Sequence, residues 1–289
     1  MISDLQIDRW LREDLGHHDV TNDVPGETTG RLVAKEAGTV AGLEAATAVF
    51  EYLDVDVFET LEDGTEVDIG DVALRVEGPA QDVLRGERVA VNLAGHASGI
   101  ATRTARAIEA ARQGGESGRT RIAATRKTTP GLRGLEKRAV VAGGGDTHRL
   151  DLSHMVMVKD NHVAEMGLEA AVSHFRERVS FATKIEVEVE SPAQAVRAAK
   201  SGADIVLLDN MDPETVQEAL AALQDGGFRV GDGDSTGADR VLTEASGGIT
   251  LETVPAYAAT GVDVISMGSL THSAPSFDLS FRTGPPSPS

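Results

Sequence analysis

The spacing of apolar residues divides the chain into two textures. Residues 3 to 15 predict a short amphipathic helix with Leu5, Trp10 and Leu11 on one face. From Gly30 to Pro79 the apolar runs are short and alternating: Arg31-Leu-Val-Ala, Val55-Asp-Val-Phe, Thr65-Glu-Val-Asp-Ile and Val72-Ala-Leu-Arg-Val, separated by glycines. Such punctuation predicts a small sheet-containing domain with a helix at Ala41 to Leu53. A long helical stretch follows from Ala80 to Arg112 and ends at Gln113-Gly-Gly-Glu-Ser-Gly, which reads as a domain boundary.

Beyond that boundary, strand-like runs at Arg121, Met155, Lys184, Asp204, Val241 and Asp263 alternate with helical segments. This repetition predicts a parallel sheet with right-handed crossovers. A doubly wound sheet and a barrel with fewer than the usual eight strands both fit. No GxGxxG fingerprint follows the first strand, which favours the barrel. The expected division is an N-terminal α+β sandwich domain over 1–112, an α/β barrel over 113–275 and a C-terminal segment over 276–289. The stretch from Asp225 to Arg240 reads as a solvated loop, and Gly284-Pro-Pro-Ser-Pro-Ser as a disordered tail.

Composition narrows the chemistry. There is no cysteine, which excludes a disulfide, a zinc-thiolate site and a thiol nucleophile. No apolar run is long enough to span a bilayer, and the N-terminus lacks a signal-peptide layout, so the expected location is cytoplasmic. The net charge is −19, from 46 acidic and 27 basic residues, and only six of the basic residues are lysines. A nucleic-acid groove needs a basic face and is not expected. So acidic a surface predicts adaptation to a salty cytosol. Cations gathered inside motifs then call for another explanation than solubility.

The expected carboxyl ends of the six strands carry Arg126-Lys127, Lys159-Asp160, Glu188, Asp209, Ser246-Gly247-Gly248 and Gly268-Ser269. In parallel α/β folds ligands bind at that end, so these residues should converge. Alternation along Lys184-Ile-Glu-Val-Glu-Val-Glu puts Ile185, Val187 and Val189 towards helices, and Lys184, Glu186, Glu188 and Glu190 towards the barrel axis. Glu188 and Asp209 at the mouth would suit a Mg²⁺ held mainly through water and substrate phosphates. Ser246-Gly247-Gly248 and Gly268-Ser269 have the make-up of a phosphate cradle, although a Ser-Gly-Gly alone is more often a turn. Arg126, Lys127, Arg133, Lys137, Arg138, His148 and Arg149 fall in one strand-loop region, a set suited to carboxylates and phosphates.

Several blocks, in one order from about residue 10 to about 275, resemble the quinolinate phosphoribosyltransferase family. They include Glu87-Arg-Val-Ala-Val-Asn-Leu, Thr125-Arg-Lys-Thr-Thr-Pro-Gly-Leu-Arg, His148-Arg-Leu, Val158-Lys-Asp-Asn-His, Glu186-Val-Glu-Val-Glu, Leu207-Leu-Asp-Asn, Glu244-Ala-Ser-Gly-Gly-Ile and Gly268-Ser-Leu-Thr-His-Ser. The resemblance implies a sandwich-like domain and a six- or seven-stranded α/β barrel. It implies transfer of phosphoribose from phosphoribosyl pyrophosphate (PRPP) to quinolinate with loss of CO₂, assisted by Mg²⁺. Carried over residue by residue, Arg126, His148, Arg149 and Lys159 should hold the quinolinate carboxylates and Lys127 the PRPP phosphates. Glu188 and Asp209 should serve the ribose and the metal-pyrophosphate, and Ser246, Gly247, Gly268 and His272 the 5′-phosphate. An arginine matching Arg88 reaches into the partner's site in family dimers, which implies a homodimer, or a larger assembly of such dimers, with shared sites. A paralogue using another aromatic acid and a phosphosugar-binding protein without catalysis are the competing readings. Two positions depart from the family pattern: Ala124 stands where members carry Asp before Thr-Arg-Lys, and Thr147 where many carry Asn before His-Arg.

Overall fold

The protein is described by a computed structural model covering residues 2–115, 119–231 and 240–284. The first half contains α1 (Asp4–Leu15), β1 (Glu27–Ala34), β2 (Gly38–Thr39), α2 (Leu43–Tyr52), β3 (Asp56–Thr60), β4 (Glu66–Val67), β5 (Val72–Pro79) and α3 (Ala80–Gly114). There follow β6 (Arg121–Ala123), α4 (Arg133–Ala142), β7 (Val156–Val158), α5 (Asp160–Met166), α6 (Leu168–Arg176), β8 (Ile185–Val189), α7 (Pro192–Lys200), β9 (Ile205–Asp209) and α8 (Pro213–Asp225). The chain ends with β10 (Leu242–Ser246), α9 (Val254–Ala259), β11 (Val264–Ser266), α10 (Ser269–His272) and β12 (Leu279–Thr283). Two compact units emerge: Met1–Ala105 with Thr129–Gly144 and Ser273–Ser289, and Arg106–Thr128 with Gly145–His272. Among the described residues no helix is long and apolar enough to cross a membrane.

The first unit is built on an antiparallel sheet in the order β12-β1-β5-β3. The Phe50 ring of α2 stacks on Phe281 of β12, with centroids 5.5 Å apart. The C-terminal segment therefore contributes an edge strand, its alternating Leu279-Ser-Phe pairing with β1 so that Phe281 lies opposite Leu32. Of the expected tail only Gly284 is described. In α1 the buried face is Ile7 and Leu11, one turn apart, whereas Leu5 is exposed. The stripe read as Leu5, Trp10 and Leu11 is corrected by the tighter i, i+4 pair.

The second unit is the six-stranded α/β barrel. Its sheet is parallel throughout, in the order β6-β11-β10-β9-β8-β7. From β7 to β11 successive strands are neighbours, and the first strand, β6, pairs with the last, β11, as a sheet curling into a barrel requires. At the β6 edge, Ala123 also bridges in parallel to Asp146. The outward residues Ile185, Val187, Val189, Val206, Leu208, Ala245 and Ile265 join one apolar core with the surrounding helices. Ser-Pro and Asp-Pro signals start two of those helices: Ser191 caps α7, and the Asp212 side chain caps α8 by accepting from the Thr215 N–H at 2.8 Å.

At the amino end of the sheet, charges are used for closure. Asp263 accepts from Arg240 and from the Thr243 N–H and hydroxyl, each at 2.9 Å. Asp204 accepts from Arg176 at 2.7 Å and from the Ile185 N–H at 2.8 Å. The carboxyl end carries Glu188, Asp209 and Ser246, at or next to the ends of β8, β9 and β10. Of the loop read between Asp225 and Arg240, residues 232–239 lie outside the described residues.

Candidate active site

Of the four charged residues that alternation turns inward, three of them carboxylates, only Glu186 and Glu188 lie within β8 itself. Lys184 lies just before the strand, 3.7 Å from Asp204, and Glu190 lies exposed just after it. Glu186 and Glu188 remain, Glu186 completely buried. The Glu188 carboxylate pairs with the ammonium of Lys159, which follows β7. Asp209, ending β9, stands next in that array: its carboxyl is pushed up by burial and by the negative charge of Glu188, and drawn down by Lys159. The Asn210 side chain donates to Asp209 at 2.7 Å.

Register ties the next two strands to this array. Ser246 of β10 lies beside Asp209 of β9, and its carbonyl accepts the Asn210 N–H at 2.8 Å. Gly247, at φ +103°, lies against Asn210 so closely that a Cβ there would be 2.2 Å from its side-chain oxygen. Only glycine fits that turn. Gly248 continues it at φ +61°. After β11, a Cβ on Gly268 would meet the Lys127 side chain at 2.9 Å and the His272 ring at 3.3 Å. Lys127, Gly268 and His272 therefore come together, and the Thr271 hydroxyl secures the loop by donating to the Lys127 carbonyl at 2.7 Å. The buried hydroxyl of Ser269 finds no partner among the described residues.

The cationic segment divides. Arg126, Lys127, His148 and Arg149 belong to the barrel unit, whereas Arg133, Lys137 and Arg138 lie on α4 in the first unit. Arg149 is buried, and its pKa is lowered first by that burial and then by the positive charge of Arg126. Arg88, on α3 of the first unit, is exposed, with Glu87 3.6 Å away. It shares its helical stripe with exposed Asn92 and half-buried His96, and His96 lies 2.9 Å from the buried carboxylate of Glu136.

His148 adopts φ +50° in the left-handed region. Its N–H donates to Asp146 at 2.7 Å, and its ring Nε2 lies 2.8 Å from Glu244 and 3.5 Å from Glu186. Glu186 and Glu244 come from β8 and β10, alternate strands, as side chains sharing an interior layer of a barrel do. Burial lowers the imidazole pKa, but the two carboxylates outweigh it and raise it to about 10. Burial, and then the charge of Glu244, push Glu186 up to about 7. Glu186, Glu244 and Asn210 were not singled out as site residues from the sequence, whereas Ser269 was read with Gly268 as part of a phosphate cradle. Glu186 had a signal, a carboxylate on the inward face of a buried strand. Glu244 had the same signal but was read only as part of a motif. As for the two departures, buried Ala124 pairs through its N–H with the Asp146 carbonyl, so Asp146 and Glu244 pose His148 beside Ala124 and Thr147.

Comparison with known proteins identifies the family. The family model described as "Quinolinate phosphoribosyl transferase, C-terminal domain" matches residues 100–282, and its N-terminal counterpart matches 18–98. A protein of Methanothermobacter thermautotrophicus named "Probable nicotinate-nucleotide pyrophosphorylase (carboxylating)" is 47% identical over 281 residues, covering 96% of this chain and 97% of its own. The human nicotinate-nucleotide pyrophosphorylase (carboxylating) is 43% identical, covering 96% and 90%. Among solved structures, NadC from Streptococcus pyogenes superposes with a TM-score of 0.84 at 37% identity, covering 97% of each chain. The chain belongs to the quinolinate phosphoribosyl transferase family.

Proposed function

We propose that the protein transfers phosphoribose from PRPP to quinolinate and releases pyrophosphate and CO₂, leaving nicotinate mononucleotide. The observation that carries this reading is the buried guanidinium of Arg149 in the barrel unit, on which the positive charge of Arg126 also acts. Two guanidinium charges close enough to act on one another are costly until an anion joins them, and planar forks suit carboxylates. With His148 and Lys159 they make a cationic set matched to a dicarboxylate rather than to nicotinate.

At the other end of the array, Lys127, Ser246, Gly247, Gly248, Gly268 and His272 receive the PRPP phosphates. Glu188 and Asp209 face the ribose, where positive charge develops as the anomeric C–O bond breaks. The pyridine nitrogen takes the anomeric carbon as pyrophosphate leaves. The quaternised ring then accepts the electron pair of the C2–carboxylate bond, CO₂ departs, and C2 takes up a proton. The protein contributes orientation and fixed charge, with no covalent nucleophile.

The mutual repulsion of Glu188 and Asp209 fits a divalent cation between them and the pyrophosphate. Two carboxylates are too few for an all-protein cage and suit Mg²⁺ held mainly through water and phosphate. Bound there, Mg²⁺ would neutralise charge on the leaving group. We also read the protein as a cytoplasmic homodimer in which Arg88 completes the partner's anion pocket, and the −19 charge as adaptation to salt. Steady-state turnover with quinolinate and with nicotinate, each with PRPP and Mg²⁺, tests the substrate. Quinolinate should be strongly preferred; equal or better turnover of nicotinate would overturn the assignment.

A further inference from the structure

Glu186 and Glu244 have no direct part in the reaction as set out above, yet both carboxylates are buried at the centre of the barrel. Both oxygens of Glu186 and Oε1 of Glu244 lack a hydrogen-bond partner among the described residues. A buried carboxylate without compensation is expensive, and such a pair persists only where something positive stands against it. That group is the His148 ring, with Nε2 2.8 Å from Glu244 and 3.5 Å from Glu186.

We propose that Glu186 and Glu244 are positioning residues that clamp His148 as an imidazolium, so that it serves as a permanent cation for a substrate carboxylate. The inference rests on the quinolinate reading for the identity of that carboxylate, but the charge of His148 belongs to the free protein. Groups facing the ring or its backbone are Glu186 from β8, Glu244 from β10 and Asp146 from its own segment, with the neighbouring cation Arg149 opposing them. On the ring itself the two glutamates outweigh the effect of burial and favour the charged form.

The geometry also separates two tasks on one side chain. Nε2 is committed to the glutamates, and the left-handed backbone at φ +50°, tied to Asp146, fixes the angle at which the ring leaves the chain. An exposed histidine would lose its charge near its ordinary value, about 6.5, and with it its hold on an anion at neutral pH. Clamped, it keeps that charge across the physiological range. Two buried acids would thus keep this one ring of the anion pocket charged.

Titration of the His148 Cε1–H proton by NMR in the full-length protein, without substrate, tests the clamp. The resonance is assigned by its loss in His148→Gln. It should remain that of an imidazolium up to at least pH 8.5; a midpoint near 6.5 would overturn the proposal. A second arm uses Glu244→Gln and Glu186→Gln at pH 6 and pH 8.5. In Glu244→Gln the KM for quinolinate should rise at least tenfold more at pH 8.5 than at pH 6, with the KM for PRPP moving little at either. A pH-independent rise, or equal losses for both substrates, would mean that the glutamates act only as packing, and would also overturn it. Should either variant fail to fold, the wild-type titration still decides. If His148 titrates high but quinolinate is not a substrate, the clamp survives and the substrate reading fails.

Discussion

Asn210 donates its side-chain amide to Asp209 at 2.7 Å while its own backbone, at φ +54°, is held by the Ser246 carbonyl. Left-handed backbone is tolerated by asparagine better than by most residues. It turns the chain directly after β9, so the side chain reaches back to the preceding carboxylate. Gly247 is the wall behind it.

Gly247→Ala should therefore act through Asp209. A methyl group cannot coexist with the Asn210 side chain at 2.2 Å, and alanine at φ +103° is strained by roughly 1–3 kcal/mol. We expect kcat/KM for PRPP to fall at least tenfold with the far-ultraviolet circular dichroism retained. Wild-type kinetics in a folded Gly247→Ala protein would show that the position of Asn210 does not matter.

Stability should depend on the proton held by His148. Its pKa is raised to about 10 in the folded chain from 6.5, so folding gains from that proton fully below pH 6.5 and loses the gain as pH rises towards 10. Glu186, raised to about 7, works in the same direction over a lower window, between its ordinary value and neutrality. Denaturant unfolding at constant salt should give a free energy that declines from pH 8 to pH 10. The decline should be shallower in His148→Gln. Identical slopes would remove His148 as its source.

How much of this was legible in the sequence follows from what each residue reports locally. The six barrel strands, α3, and the gathering of Lys159, Glu188 and Asp209 at strand ends came from periodicity and from the rule that parallel sheets bind ligands at one end. The closing edge strand β12 was not legible, because its partner β1 lies some 250 positions away, as in Arg31 against Arg282. The pairing of His148 with Glu244 spans 96 positions and depends on barrel curvature, which no local pattern encodes. The side of α1 was misread because Leu5 advertises burial by composition while Ile7 and Leu11 achieve it by spacing.

A net charge of −19 repels itself unless screened. Thermal melts across a KCl series from 0.1 M upward should show the melting temperature rising with salt, well beyond the low range where ordinary surface pairs are already screened. A flat or falling series would remove salt adaptation from the account.

Shared sites make a separate, quantitative expectation. Arg88→Ala and Lys127→Ala should each be nearly inactive alone. If Arg88 serves the partner's pocket, a heterodimer of the two has one doubly altered site and one intact site. Random reassociation makes about half of the dimers mixed, so about a quarter of wild-type activity should return. No recovery beyond the sum of the two variants would show that Arg88 does not act across a dimer.

The central claim is a coupled transfer and decarboxylation, and mass balance tests it most directly. With PRPP, Mg²⁺ and quinolinate labelled at the 2-carboxyl carbon, labelled CO₂ and pyrophosphate should appear in equal amounts, matched by nicotinate mononucleotide. Pyrophosphate without labelled CO₂, or neither product from quinolinate at any salt concentration, would contradict it.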